Sequence, residues 1–157
     1  MLKHLYEKDF QLWLQQTIEQ LEQGNFAAVD MEHLVEELTE LGKSEKNRLE
    51  SNLMVLLAHL LKLRVQKDAP EMIKGSWYNS VDEHRQRVQK QLQQTPSLKS
   101  YLKTALETAY IDGRRLAIKE GKRAQFGVRI PNQEEYPQIC PFSLEQILDE
   151  DFYGENS

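Results

Sequence analysis

The longest clean periodic pattern in the chain runs from Ser44 to Val65. Leu49, Leu53, Leu56, Leu57, Leu60 and Leu61 recur at spacings of three and four, with no two-residue alternation. At about 100° per residue they form one broad apolar face, which predicts an amphipathic helix that other helices must cover. Glu45, Asn52 and His59 are seven apart and line the edge of that stripe, with Arg48 beside them. Groups at such an edge are partly desolvated and need hydrogen-bond partners.

Upstream, Asp9 is placed to cap a helix running to Gln23, with Phe10, Trp13, Leu14, Ile18 and Leu21 on its core face and Gly24-Asn25 ending it. Asp30 caps the next helix. Its inward residues are expected to be Met31, Leu34, Leu38 and Leu41, with Glu32, Glu36 and Glu40 in solvent and Glu37 at the stripe edge. Gly42 predicts a break or bend before the leucine helix.

Beyond Val65 the periodicity dissolves through Pro70 and Gly75, where Trp77 is expected to plug the core. Ser80-Val-Asp-Glu83 has the form of a capping box opening a helix to about Gln94. Its stripe is Val81, Val88 and Leu92, and Arg85 falls almost within it while His84 lies on the other flank. Thr95-Pro96 predicts another start, for a helix to about Gly121. On that helix Ala105, Ala109, Gly113 and Ala117 are small, so a neighbouring helix is expected to approach closely. From Ala124 the prolines and scattered apolar residues of 126–142 predict an extended strap. Ser143-Leu-Glu-Gln146 then caps a short helix through about Leu148, with Phe152 as an anchor for the acidic tail.

These elements predict an all-α fold: an antiparallel helical bundle of four to five main helices, with an extended C-terminal strap and a short C-terminal helix. Residues 1–123 form the bundle, and residues 124–157 supply the strap, short helix and acidic tail packed on the same domain. A chain of 157 residues with 39% hydrophobic content can bury such a core without disulfides or metals. Its single cysteine, Cys140, has no internal partner and fits a reducing cytoplasm. No run approaches a membrane span, so a soluble, unexported protein is expected.

Charge is segregated along the chain. Residues 1–42 carry a net −7, residues 43–123 a net +8 and residues 124–157 a net −6. Acidic outer elements beside a basic middle account for this within one fold, and they argue against a nucleic-acid surface.

The motifs of chemistry are mostly missing. Gly42-Lys43-Ser44 resembles the end of a phosphate loop, but Glu37 stands where the first glycine belongs and no strand precedes it. Paired Glu-x-x-His motifs of di-metal bundles are absent, and His4, His33, His59 and His84 show no ligand spacing. No catalytic set, metal site or cofactor is assigned. The constellation kept is Glu37, Glu45, Asn52, His59 and Arg85: an arginine near an apolar stripe needs a partner, Glu37 or Glu45 being the candidates, and a histidine beside such a pair could titrate near neutrality.

Several stretches carry a family resemblance: Leu5-Tyr-Glu-Lys-Asp-Phe10 with Trp13, Leu34-Val-Glu-Glu-Leu38, Leu41-Gly-Lys-Ser-Glu-Lys46, Leu56-Leu-Ala-His-Leu-Leu-Lys62, Trp77, Arg85-Gln86, Pro96-Ser-Leu98, Ala109-Tyr110, Cys140-Pro-Phe142 and Gln146-Ile-Leu-Asp149. Over most of its length the chain resembles the bacterial, largely cyanobacterial, helical family called domain of unknown function 29. Lys43 departs from the arginine usual there. The resemblance implies an all-α fold and supplies no activity.

Two functions follow as expectations. The first is a small cytoplasmic protein-interaction or regulatory module, an antitoxin-like protein being one form, with a protein partner or self-association and no membrane. The alternative is a ligand- or metal-binding bundle, an enzyme included, with a polar cleft around His59.

Overall fold

Asp9 stops one helix and starts another. Its backbone N–H closes the turn from Leu5 at 2.7 Å, and its side chain accepts the N–H of Leu12 at 3.1 Å. Helix α1 (Leu2–Lys8), which the periodicity did not reveal, therefore precedes α2 (Phe10–Glu22). A single 3₁₀ turn, Phe26–Ala28, leads to α3 (Met31–Val65), followed by α4 (Glu71–Gln94), α5 (Leu102–Arg123) and the short α6 (Leu144–Leu148). The computed structural model describes residues 2–124 and 129–155, and no strand occurs among them. The expected all-α class is correct, and none of these helices is long and apolar enough to cross a membrane.

Two boundaries differ from the sequence reading. Gly42 neither ends nor splits a helix, because α3 passes through it for 35 residues. A glycine inside a helix costs about 1 kcal/mol relative to alanine, which the good helix formers on both sides absorb. Ser80 is likewise not a cap. Helix α4 starts three turns earlier, after Pro70, with Glu71 in its first turn suited to the helix dipole. Trp77 thus belongs to α4 and is buried. After Thr95 the chain makes a 3₁₀ turn, Pro96–Ser100, so α5 begins at Leu102 rather than at Pro96.

The chain divides into two compact units, residues 1–45 and 46–157. In the first, Trp13 donates its indole N–H to Asp30 at 3.2 Å, and Tyr6 stacks on His33 with ring centroids 3.8 Å apart. Among the described residues there, Trp13 and Val29 are the buried apolar side chains. The expected inward residues Met31, Leu38 and Leu41 are exposed, as are Phe10 and Ile18. Helical period identifies an apolar face but not whether anything covers it.

The second unit holds the main core. All six stripe leucines of α3 are fully buried, together with Val81 and Val88 of α4 and Ala105, Ala109 and Ala117 of α5. Close approach along the small residues of α5 is realised at Gly113, where an added Cβ would lie 2.9 Å from the carbonyl oxygen of Met54. The C-terminal segment is strapped on by polar contacts. Tyr110 donates its hydroxyl to the Pro137 carbonyl at 2.5 Å, and Arg114 Nε donates to the Tyr136 carbonyl at 3.0 Å. Ser143 and Gln146 form the expected capping box at α6, and Phe152 is buried. The part of the predicted strap at 126–128 lies outside the described residues.

Candidate functional site

The candidate residues are distributed among separate environments. Glu37 belongs to the first unit, where it accepts the Tyr6 hydroxyl at 2.5 Å. That hydrogen bond is the main reason the Tyr6 phenol is pushed up to about 12. Glu45 is half-buried at the end of the same unit.

In the second unit, Asn52 lines a polar groove of about 440 Å³ with Arg48, Arg87, Lys90 and Gln94. His59 lies elsewhere on α3. Its Nδ1 donates to the Val55 carbonyl at 2.8 Å, one turn back. His84 repeats this on α4, its Nδ1 donating to the Ser80 carbonyl at 2.8 Å. The Ser80 hydroxyl sits between the two rings, 3.4 Å from Nδ1 of His59 and 3.3 Å from Nδ1 of His84.

This geometry decides what the cluster can do. A carbonyl only accepts, so both Nδ1 atoms carry their protons and present no lone pair to Ser80. Neither ring can serve through Nδ1 as the base that would activate the serine. Burial pushes His59 down to about 4, aided by the charge of Lys62 and by His84, so the ring is neutral at physiological pH. Among the described residues no group of three or more His, Cys, Asp or Glu side chains is placed to hold a metal ion.

Arg85 was expected to pair with Glu37 or Glu45. Its described hydrogen bonds go instead to main-chain oxygens, Nε to Ile147 at 2.8 Å and Nη2 to Phe152 at 2.7 Å. The guanidinium also lies over the Tyr153 ring, 5.7 Å from its centroid. Gln89 adds a bond to the Leu148 carbonyl at 2.8 Å. Two of the three guanidinium nitrogens of this buried cation thus meet carbonyl dipoles, its Nη1 has no hydrogen-bond partner among the described residues, and the side chain fixes the C-terminal segment.

Lys62 was not singled out from the sequence, yet it is buried, ion-paired with Glu120, and 5.6 Å from the centre of the Trp77 ring. Burial pushes its ammonium down to about 8. The available signal was its place in Leu60-Leu-Lys-Leu63, where the helix is apolar on all sides.

Two surfaces present exposed apolar side chains at helical spacing or beside a groove. On the first unit, Met31, Val35, Leu38 and Leu41 follow one another at helical spacing and are all exposed. On the second, a groove of about 520 Å³ runs along α5, with Ile111 and Ile118 in it and Arg114, Arg115, Lys119 and Lys122 around it.

A family model described as Domain of unknown function DUF29 matches residues 5–153 of the 157-residue chain. No curated protein and no solved structure matches it.

Proposed function

This chain belongs to the DUF29 family, a domain of unknown function, and from that premise we propose that it is a small protein-interaction module of the cytoplasm. It engages another protein through the apolar face of the first half of α3. The supporting observation is an imbalance among the described residues 2–45: two apolar side chains, Trp13 and Val29, are buried, whereas Phe10, Leu12, Ile18, Phe26, Met31, Val35, Leu38 and Leu41 are exposed. Leu38 is 60% and Leu41 64% exposed. Met31, Val35, Leu38 and Leu41 follow one another along one face of α3, and an exposed apolar face of this kind is read as an interaction site rather than ordinary surface scatter. The second unit has the opposite balance, a large buried core with few exposed apolar residues.

A helix face with anchors at i, i+4, i+7 and i+10 is the recognition element of helix-in-groove binding. Such a module acts by occupying a partner's groove, as a regulatory or antitoxin-like protein does. The test is a photo-crosslinking residue placed at Val35 or Leu38 in cells, with Met72, an exposed apolar position of the second unit, as the control. Protein adducts at Val35 and Leu38 in excess of those at Met72 are expected, and they should vanish with Leu41→Asp. Equal adducts at all three positions would overturn the reading.

A further inference from the structure

We infer that a second copy of this chain occupies the α3 stripe, seating it in the basic, isoleucine-lined groove of α5; this rests on the interaction role proposed above and names its partner. Two complementary faces are on the same chain. Residues 1–45 carry three basic and ten acidic side chains. Beside the exposed Met31 and Val35, Glu32 and Glu36 project from adjacent positions of the helix, also exposed. Such a helix needs a groove with apolar floor and cationic walls.

The α5 groove has that composition. Ile111 is 61% exposed within it, and Arg115, Lys119 and Lys122 are exposed around it. Its wall is held in place, since Arg114 spends its guanidinium on the carbonyls of Tyr136 and Gln133 at 3.0 and 3.3 Å. Stripe against stripe would instead bring two units of net −7 together, which like-charge repulsion opposes. Stripe into groove joins opposite charges and apolar surfaces at once. Two copies that exchange stripes would each supply the other's partner face, the self-complementary arrangement of a symmetric dimer.

Sedimentation velocity of the full chain tests this, with a charge swap. The wild type should sediment as a dimer at low salt and dissociate as salt is raised. Arg115→Glu with Lys119→Glu, and separately Glu32→Lys with Glu36→Lys, should each weaken dimerisation by at least about tenfold. Mixing the two variants in equal amounts should restore the dimer, because each then offers the face complementary to the other's. All four positions are solvent-exposed, and unchanged circular dichroism melts would show that neither variant is misfolded. A wild type that stays monomeric, or a mixture that stays monomeric, overturns the inference. If the wild type is monomeric while Val35 still crosslinks to other proteins, self-docking fails and the interaction role stands; if neither occurs, both fail.

Discussion

Arg85 Nε donates to the main-chain carbonyl of Ile147 at 2.8 Å, across 62 residues of sequence. With the second bond to Phe152, this one side chain holds both the end of α6 and the turn after it. Arg85 is 2% exposed, so removing it leaves two carbonyls without their donor in a dry place. Arg85→Ala should cost about 3 kcal/mol, on the scale of hydrogen bonds to charged donors. Amide exchange should rise first across 144–155 and only then in α4. Arg85→Lys, a point charge without the planar fork, should recover part of the stability. Urea unfolding followed by exchange mass spectrometry reads both; unchanged protection of 144–155 in Arg85→Ala would refute the anchoring role.

Gly113 marks a close approach of α5 to α3. An added methyl would stand 2.9 Å from the Met54 carbonyl oxygen and 3.4 Å from the Ala58 nitrogen, and both are backbone atoms that cannot rotate away. Gly113→Ala gains helix propensity of about 1 kcal/mol. The forced separation of the helices costs about 1–3 kcal/mol, so the net effect should be destabilising. Gly42→Ala, in the same helical conformation but with nothing within 4 Å of an added Cβ, should stabilise. The two melting temperatures should therefore move in opposite directions. A rise for Gly113→Ala would mean that the helix contact yields easily.

His59 gives the protein an acid-sensitive window. Its folded-state value of about 4 lies below the ordinary 6.5, so between these values the unfolded chain binds the proton that the folded one refuses. Stability is fully present above about pH 6.5 and is lost as pH falls toward about 4. The slope is at most about 1 kcal/mol per pH unit once solvent reaching this half-buried ring is discounted. His59→Gln should flatten the fall in urea midpoint across that window and leave the carboxylate titrations common to both proteins. Parallel curves for the two proteins would show that the ring is not the cause.

The difference between what was legible and what was not follows from where the determining information lies. The leucine face of α3 was readable because burial and helical period both leave their mark on spacing, and Ser143-x-x-Gln146 because a capping box is a local device. Ser80-x-x-Glu83 has the same local form, but Glu83 pairs with Arg87 at 2.5 Å on the exposed face of a helix already under way. Local form is then without consequence. Met31, Leu38 and Leu41 fit an inward stripe as well as Leu49 and Leu53 do, since period says nothing about what lies opposite. Among the site residues, Arg85 was conspicuous by its place near an apolar stripe. The approach of His59 to Ser80, 21 residues further along the chain, depended on how α3 and α4 pack against each other, which no spacing encodes.

Asp30 is the support on which the α3 stripe is built. It accepts the backbone N–H of His33 at 3.4 Å at the start of α3, the His33 ring at 2.5 Å and the Trp13 indole at 3.2 Å. Burial alone would raise its carboxyl, but the bonds from His33 and Trp13 outweigh it and the net shift is downward. Its stabilising effect is therefore present above the ordinary carboxylate range and disappears as pH falls through the lowered value. Asp30→Ala removes the cap and strands the indole, for a loss of about 2 kcal/mol. Asp30→Asn, which can still cap, should lose less. In a Trp77→Phe background the emission reports Trp13 alone, because the chain has two tryptophans. Asp30→Ala should shift that emission to the red and, by loosening the stripe's scaffold, weaken crosslinking at Val35 as well. Retained emission with lost crosslinking would assign the contact to Asp30 itself rather than to the helix it starts.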